Sequence, residues 1–103
     1  MTDPLFSTTD PQGRTVELSR GCFIEHIRYE HPDMSDAEEI EQTIHRAEYI
    51  CTDATNLARL VYYRTFRRRP ERWMIKVVVD AGEVVTAYRV KRIKRGETTI
   101  WQR

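Results

Sequence analysis

Three of the 103 residues are histidine, at positions 26, 31 and 45, and imidazole is the side chain best suited to moving protons near neutral pH. Lys76, Thr86 and Tyr88 stand in two later segments of strand-like pattern. These types together meet the needs of RNA cleavage by internal attack of the 2′-hydroxyl: a base, an acid, and positive or hydrogen-bonding groups on the phosphate. Each also has a plainer structural use. His26 flanks the apolar stripe of a helix, where a half-buried imidazole can bond to a sheet. His31 precedes Pro32 at a helix end, where it complements the helix dipole. His45 falls on or near a solvent face and takes no role. Cys22, His26 and His31 lack the clear paired spacing of a zinc site, and Cys51 would join them only by accident of folding. The two thiols read as buried and inert, and no metal or cofactor is expected. The chain has no phosphate-cradling glycine loop, nucleophile elbow or paired catalytic carboxylates, which argues against nucleotide hydrolysis and acyl transfer.

The elements that must position these groups are legible from period and punctuation. Residues 1–13 hold Pro4, Pro11 and Gly13 and no periodic pattern, so a flexible N-terminal arm is expected there. Arg14 to Leu18 alternates, as a short strand or extended lead-in does. Ser19 can cap a helix over 20–30, with Phe23, Ile24 and Ile27 on its apolar stripe and Pro32 ending it. Ser35-Asp36-Ala37-Glu38 has capping-box form, and Ala37, Ile40, Ile44 and Ala47 follow at helical spacing, predicting a helix over 36–47. Tyr49 to Asn56 reads as a connection with Ile50 tucked inward. Strands are expected over 60–66, 73–79, 84–92 and 97–101, with a loop at 67–71 and turns at 80–82 and 94–96. The expected fold is α+β: N-terminal helices packed on a four-stranded antiparallel β-meander over about 58–102, in a single domain of residues 14–103.

The turn after Asp80 decides which side chains share a face, because a one-residue slip flips them all. A two-residue Ala81-Gly82 loop pairs Val77 with Thr86 and Ile75 with Tyr88. A three-residue loop ending at Gly82 pairs Lys76 with Thr86 and Met74 with Tyr88. The second is preferred, since it gathers Ile75, Val77, Val79, Val85 and Ala87 on one wholly apolar face. Met74, Lys76, Thr86 and Tyr88 then share the other.

Charge is divided along the chain. Residues 1–56 carry 4 Arg and no Lys against 12 Asp and Glu, a net −8. Residues 57–103 carry 13 Lys and Arg against 4 Asp and Glu, a net +9, so the whole stands at +1. Such a basic half suits a polyanionic partner, unless the halves neutralise each other where they pack. Arg67-Arg68-Arg69, near Tyr62, Tyr63, Phe66 and Trp73, has the basic–aromatic mix that binds single-stranded nucleic acid. The bland alternative is a solvated loop whose Arg stems cover the sheet edge. Arg67, Arg68, Arg69, Arg89 and Lys91 are the candidate RNA-binding residues. No apolar run approaches the ~20 residues of a membrane helix, and two cysteines do not make a secreted scaffold. A soluble cytoplasmic protein with reduced thiols and no membrane partner is expected.

The order of short blocks adds a resemblance. Gly13-Arg14-x-Val16-x-Leu18 is followed by His26-Ile27-x-x-x-His31-Pro32-Asp33-Met34. Then come Tyr62-Tyr63-Arg64, Lys76-Val77-Val78-Val79, Val85-Thr86-Ala87-Tyr88, and Lys94-Arg95-Gly96-Glu97 with Ile100-Trp101. Over about residues 13–101 this resembles the phage- and mobile-element-associated branch of the barnase–EndoU–colicin–RelE (BECR) nuclease superfamily. The resemblance implies a BECR-like fold, metal-independent RNA cleavage, often as a toxin, and an antitoxin or immunity protein as a partner. The positions it implies for the active site are His26, His31, Arg64, Lys76, Thr86 and Tyr88. The leading expectation is therefore a small endoribonuclease. The alternative is a catalytically inactive nucleic-acid-binding or protein-interaction module.

Overall fold

The computed structural model describes residues 3–68 and 71–103. Its strands are β1 (Phe6–Thr9), β2 (Thr15–Leu18), β3 (Tyr49–Thr52), β4 (Arg59–Arg68), β5 (Glu71–Asp80), β6 (Glu83–Val90) and β7 (Thr98–Gln102). A π-helical segment, Cys22–Ile27, runs into an α-helical turn, Arg28–Glu30; together they form α1, and Ala37–His45 forms α2. The strands make one seven-stranded sheet in the order β1-β2-β6-β5-β4-β3-β7. Every pairing is antiparallel except a single parallel bridge from Glu17 of β2 to Glu83 of β6.

The expected four-stranded meander under N-terminal helices is therefore replaced by a larger, mixed, curled sheet with two short helical segments. Three physical causes account for the difference. First, β7 does not return beside β6 but pairs with β3, at the far side of β5 and β4. Second, β3 occupies what reads as a connection, because Ile50 and Cys51 are both buried on opposite faces and the alternation that marks a strand is lost. Third, β1 is a polar edge strand held by the turn after it. The Asp10 carboxylate accepts from the backbone N–H of Gln12 at 2.8 Å and of Arg14 at 2.9 Å.

The helices lie near where their periodicity puts them. Ser19 Oγ accepts from Cys22 N–H at 3.1 Å at the start of α1. Asp36, not Ser35, caps α2, accepting from Glu38 N–H at 2.9 Å. The main core gathers Phe23 and Ile27 of α1, Ile40 and Ile44 of α2, Val16 and Leu18 of β2, and Tyr62, Ile75, Val77, Val79, Val84 and Ala87 of the sheet. Cys51, Val61 and Tyr63 form a second cluster with Tyr49, Met74, Val90 and Ile93 around them. No helix among the described residues is long and apolar enough to cross a membrane.

The β5–β6 register is neither of the two weighed from sequence. The hairpin turns on two residues, with Asp80 opposite Glu83 and both Ala81 (φ 50°) and Gly82 (φ 78°) left-handed. A bulge at Val85 then shifts the ladder, so Val79 faces Val84 while Val78 faces Thr86 and Lys76 faces Tyr88. The expected Lys76–Thr86 and Met74–Tyr88 pairs do not form: Thr86 and Tyr88 each meet a residue two positions further along β5, Val78 and Lys76. The bulge restores what the two-residue turn alone would have inverted: Ile75, Val77, Val79 and Ala87 face the main core, and Lys76, Thr86 and Tyr88 share the opposite face. Val84, not Val85, fills the core beside them. Gly82 also lies where β2 comes closest: a Cβ there would sit 3.3 Å from the Thr15 carbonyl oxygen.

Candidate functional site

β2 meets β6 only at Glu83, so beyond that point the edge of β6 is covered by α1 instead of a strand. The Cys22 thiol fastens α1 to this edge, donating to the carbonyls of Val84 at 3.1 Å and Val85 at 3.4 Å. Burial pushes the Cys22 thiol pKa up and the Glu83 charge pushes it further, so it stays protonated and acts as a clip. Residues four apart on this segment divide the work. Phe23 and Ile27 enter the core, while Cys22 and His26 line an open cleft.

That cleft, of about 540 Å³, lies between Cys22, His26, Glu30 and His31 of α1 and its end and Val85, Thr86 and Tyr88 of β6. Pro32 disfavours helical geometry in the residue before it, and His31 leaves the helix at φ −132°, ψ 76°. Its ring stacks on that of Tyr88, centroids 5.0 Å apart at 27°. His26 is exposed. Among the described residues the His26 ring and the Thr86 and Tyr88 hydroxyls make no hydrogen bond, and the Tyr88 oxygen lies near enough to Lys76 to interact with its charge. Among the same residues, no group of three or more His, Cys, Asp and Glu is placed to hold a metal ion.

Four of the six expected site residues, His26, His31, Thr86 and Tyr88, therefore line one cleft. The other two do not. Lys76 is buried behind Tyr88, with Nζ 5.7 Å from the ring centroids of both Tyr88 and Tyr63. It donates to Glu97 Oε2 at 2.8 Å, and Glu97 Oε1 accepts from the Tyr63 hydroxyl. Burial alone would lower the Lys76 pKa, but the Glu97 hydrogen bond and the neighbouring Tyr63, Tyr88 and Glu97 oxygens raise it above the ordinary lysine value. Lys76 is a cation already satisfied by a carboxylate, not a free one facing a phosphate. Arg64 sits opposite Ile75 on β4, away from the face shared by Lys76 and Tyr88, with its guanidinium 5.1 Å from the Phe66 ring centroid.

Of the expected RNA-binding residues, Arg89 lies 3.9 Å over the Trp73 ring and pairs with Asp33 at 3.3 Å. Lys91 is exposed just beyond β6. Arg67 and Arg68 belong to β4 instead of a loop, with Arg68 opposite Glu71. Their side chains and the whole of Arg69 lie outside the described residues.

The sequence reading omitted Glu30 and Glu97. Glu30, four residues after His26, could have been found from helix spacing alone. Glu97 carried no such signal, because its partnership with Lys76 depends on where the segment after β6 runs. No family model, curated protein or solved structure matches this chain.

Proposed function

We propose that this protein is a small endoribonuclease that cleaves RNA without a metal ion, by attack of a ribose 2′-hydroxyl on the adjacent phosphate. The observation that carries the reading is the meeting of His26 and His31 with Thr86 and Tyr88, whose hydroxyls make no hydrogen bond among the described residues, in one open cleft. The ordered sequence blocks that resemble BECR nucleases support it independently.

In this mechanism one imidazole takes the proton from the 2′-hydroxyl as its oxygen bonds to phosphorus. The P–O5′ bond breaks, and the other imidazole, protonated, gives its proton to the departing 5′-oxygen. The products are a 2′,3′-cyclic phosphate and a 5′-hydroxyl. Thr86 and Tyr88 donate to the non-bridging oxygens, and the protonated imidazole supplies the positive charge that Lys76 cannot. His31, held by its stack on Tyr88, is the more fixed of the pair. An antitoxin or immunity protein fits this reading as a partner that covers the cleft.

The sequestered Lys76 favours a second reading, a nucleic-acid-binding module without catalysis. One experiment separates them: incubate the protein with a short oligoribonucleotide in excess chelator and identify the ends. Cyclic phosphate and 5′-hydroxyl ends, lost when the 2′-hydroxyl at the cleavage site is replaced by hydrogen, support the nuclease. Bound but intact RNA supports the binding module.

A further inference from the structure

The segment joining β6 to β7 crosses the molecule. Its ends lie on strands separated by β5, β4 and β3, four inter-strand steps or about 19 Å at ~4.8 Å each. Residues 91–97 can reach about 23 Å when extended. They form a strap over the face of the sheet that carries Lys76.

The underside of this strap is fixed. Ile93 packs on the second cluster of Cys51, Val61 and Tyr63. The Lys94 N–H donates to the Tyr63 hydroxyl at 3.3 Å. Glu97, whose side chain is fully buried, holds Lys76. Gly96, at φ +95°, closes a turn so near Ala54 that a Cβ would sit 3.2 Å from that residue's own.

The outside of the strap is basic. Lys91, Arg92, Lys94 and Arg95 are exposed, and a shallow groove of about 840 Å³ follows Arg89 through Arg95. Among the described residues no carboxylate forms a close ion pair with Lys91, Arg92, Lys94 or Arg95, although Asp53 lies near enough to Lys94 to feel its charge. The one carboxylate of the strap itself, Glu97, is turned under and spent on Lys76. Among the described residues the acidic half of the chain thus offsets this positive field in part at Lys94, through Asp53, and makes no ion pair with the other three cations. The strap begins three residues after Tyr88 of the cleft, about 10 Å along a strand.

We propose that the Lys91–Arg95 strap is a binding track for the phosphate backbone of single-stranded RNA and feeds the strand to the α1–β6 cleft. This deepens, and rests on, the nuclease reading. The track reads backbone and not bases. Tyr63 beneath the strap and Trp73 beneath Arg89 are both buried and offer no face for base stacking.

The test uses the whole protein and a variant, Lys91→Gln/Arg92→Gln/Lys94→Gln/Arg95→Gln, whose changes are all on exposed side chains and should leave Tm unchanged. A labelled, uncleavable 2′-O-methyl 12-mer reports binding between about 50 and 200 mM salt. Each phosphate contact on a single strand contributes about −0.7 to the slope of log K against log salt. The variant should flatten that slope by about 2–3 and bind at least about tenfold more weakly at low salt. It should raise KM for a cleavable 12-mer with kcat unchanged, and cut a dinucleotide, too short to reach the strap, as well as wild type does. Equal slopes and affinities for variant and wild type overturn the track, as does an equal loss on dinucleotide and 12-mer. A wild type that binds through the strap yet cuts neither substrate supports the track and overturns the nuclease reading alone.

Discussion

The α1–β6 cleft and the Lys76–Glu97–Tyr63 cluster stand back to back on Tyr88. The Tyr88 ring meets both the His31 ring, at 5.0 Å, and the Lys76 ammonium, at 5.7 Å. Both regions are built from residue types that suit acid–base or phosphate chemistry. What separates them is cover. The cleft is open because β2 abandons the edge of β6 after Glu83 and α1 lies beside it without filling it. The cluster is sealed because the strap from β6 to β7 passes over it and brings its own carboxylate. Residue type made both regions candidates; burial and pairing give the cluster a structural role and leave the cleft open for the proton transfer proposed for it.

The largest expected effect tests the open side of this comparison. His26→Ala should lower RNA cleavage by about 10²–10⁴-fold, the usual cost of losing a general acid or base. Since His26 is exposed and outside both apolar clusters, Tm should stay within a degree or two of wild type. A lowered Tm with activity retained would reverse the assignment.

The sealed side should answer in stability. Glu97→Ala leaves the Lys76 cation buried without its partner, a loss of about 3–5 kcal/mol, enough to lower Tm by more than about 12 °C in a domain this size. The double variant Lys76→Met/Glu97→Leu should recover most of it, because replacing a buried pair with apolar groups is often neutral. The sign with pH follows from the raised Lys76 pKa. Its stabilisation is full below the unfolded value near 10.5 and disappears as pH rises through the higher folded value. Urea unfolding across the alkaline range should therefore show a steeper loss in wild type than in the double variant, which keeps the loss due to the buried Tyr62 hydroxyl, also held above its ordinary value. If Lys76 instead served a phosphate directly, Lys76→Met in that stable double variant would reduce kcat as severely as His26→Ala.

How far these assignments were legible follows from whether the signal was local. The i, i+4 stripe of Ile40 and Ile44 and the proline stop at Pro32 are local, and α2 and the end of α1 fall where they point. The apolar run Ile75, Val77, Val79 faces the core as its alternation demands. The placing of Lys76, Thr86 and Tyr88 on one face also followed from alternation, although the pairings proposed for them did not form. A bulge at Val85 has no sequence mark beyond an ordinary valine, and its one-residue shift adds to that of the two-residue turn, so that the total of two returns each side chain to its expected face. Long-range placement was silent. Lys94-Arg95-Gly96 reads equally well as a hairpin turn or as part of a crossing strap, and only the pairing of β7 with β3 decides it. The burial of Lys76 and the role of Glu97 both depend on that crossing.

A third buried charge sharpens the contrast between the two faces. Adjacent tyrosines on β4 point to opposite sides, and each hydroxyl donates to a buried carboxylate: Tyr63 to Glu97 under the strap, and Tyr62 to Asp10 at 2.7 Å on the core side. Burial alone would raise the Asp10 pKa, but hydrogen bonds from Tyr62, Arg14 and Gln12 outweigh it and lower the value below 3.8. Stabilisation from Asp10 is therefore present above the unfolded value and lost as pH falls through the folded one. Asp10→Asn should cost about 1.5–3 kcal/mol at pH 7, the worth of hydrogen bonds to a charged group. It should also remove part of the wild-type stability loss below pH 4, while leaving the alkaline limb of Lys76 in place. The acid limb then reports Asp10, whereas alkali acts on both faces, through Lys76 on one and Tyr62 on the other. Asp10→Asn should also soften the Tyr62 part of the alkaline loss, since the Asp10 charge helps raise that hydroxyl's pKa; a change that differs between wild type and the Lys76→Met/Glu97→Leu background would show the two clusters to be one coupled network.

The smallest effect concerns the turn on which both regions depend. Ala81 sits at φ 50°, in a two-residue hairpin turn whose first position favours Asn or Gly. A left-handed alanine costs about 1–2 kcal/mol, so Ala81→Asn should stabilise the protein by about 1 kcal/mol or less and raise Tm by a few degrees. The turn is exposed and joins β5, which carries Lys76, to β6, which carries Thr86 and Tyr88. Tightening it without changing the Asp80–Glu83 register should stabilise cleft and cluster together. RNA cleavage and both pH limbs should then be unchanged while the thermal midpoint rises. If cleavage falls as Tm rises, the strain at Ala81 is being transmitted through the Val85 bulge to Thr86, and the cleft is less independent of the sheet behind it than its open geometry implies.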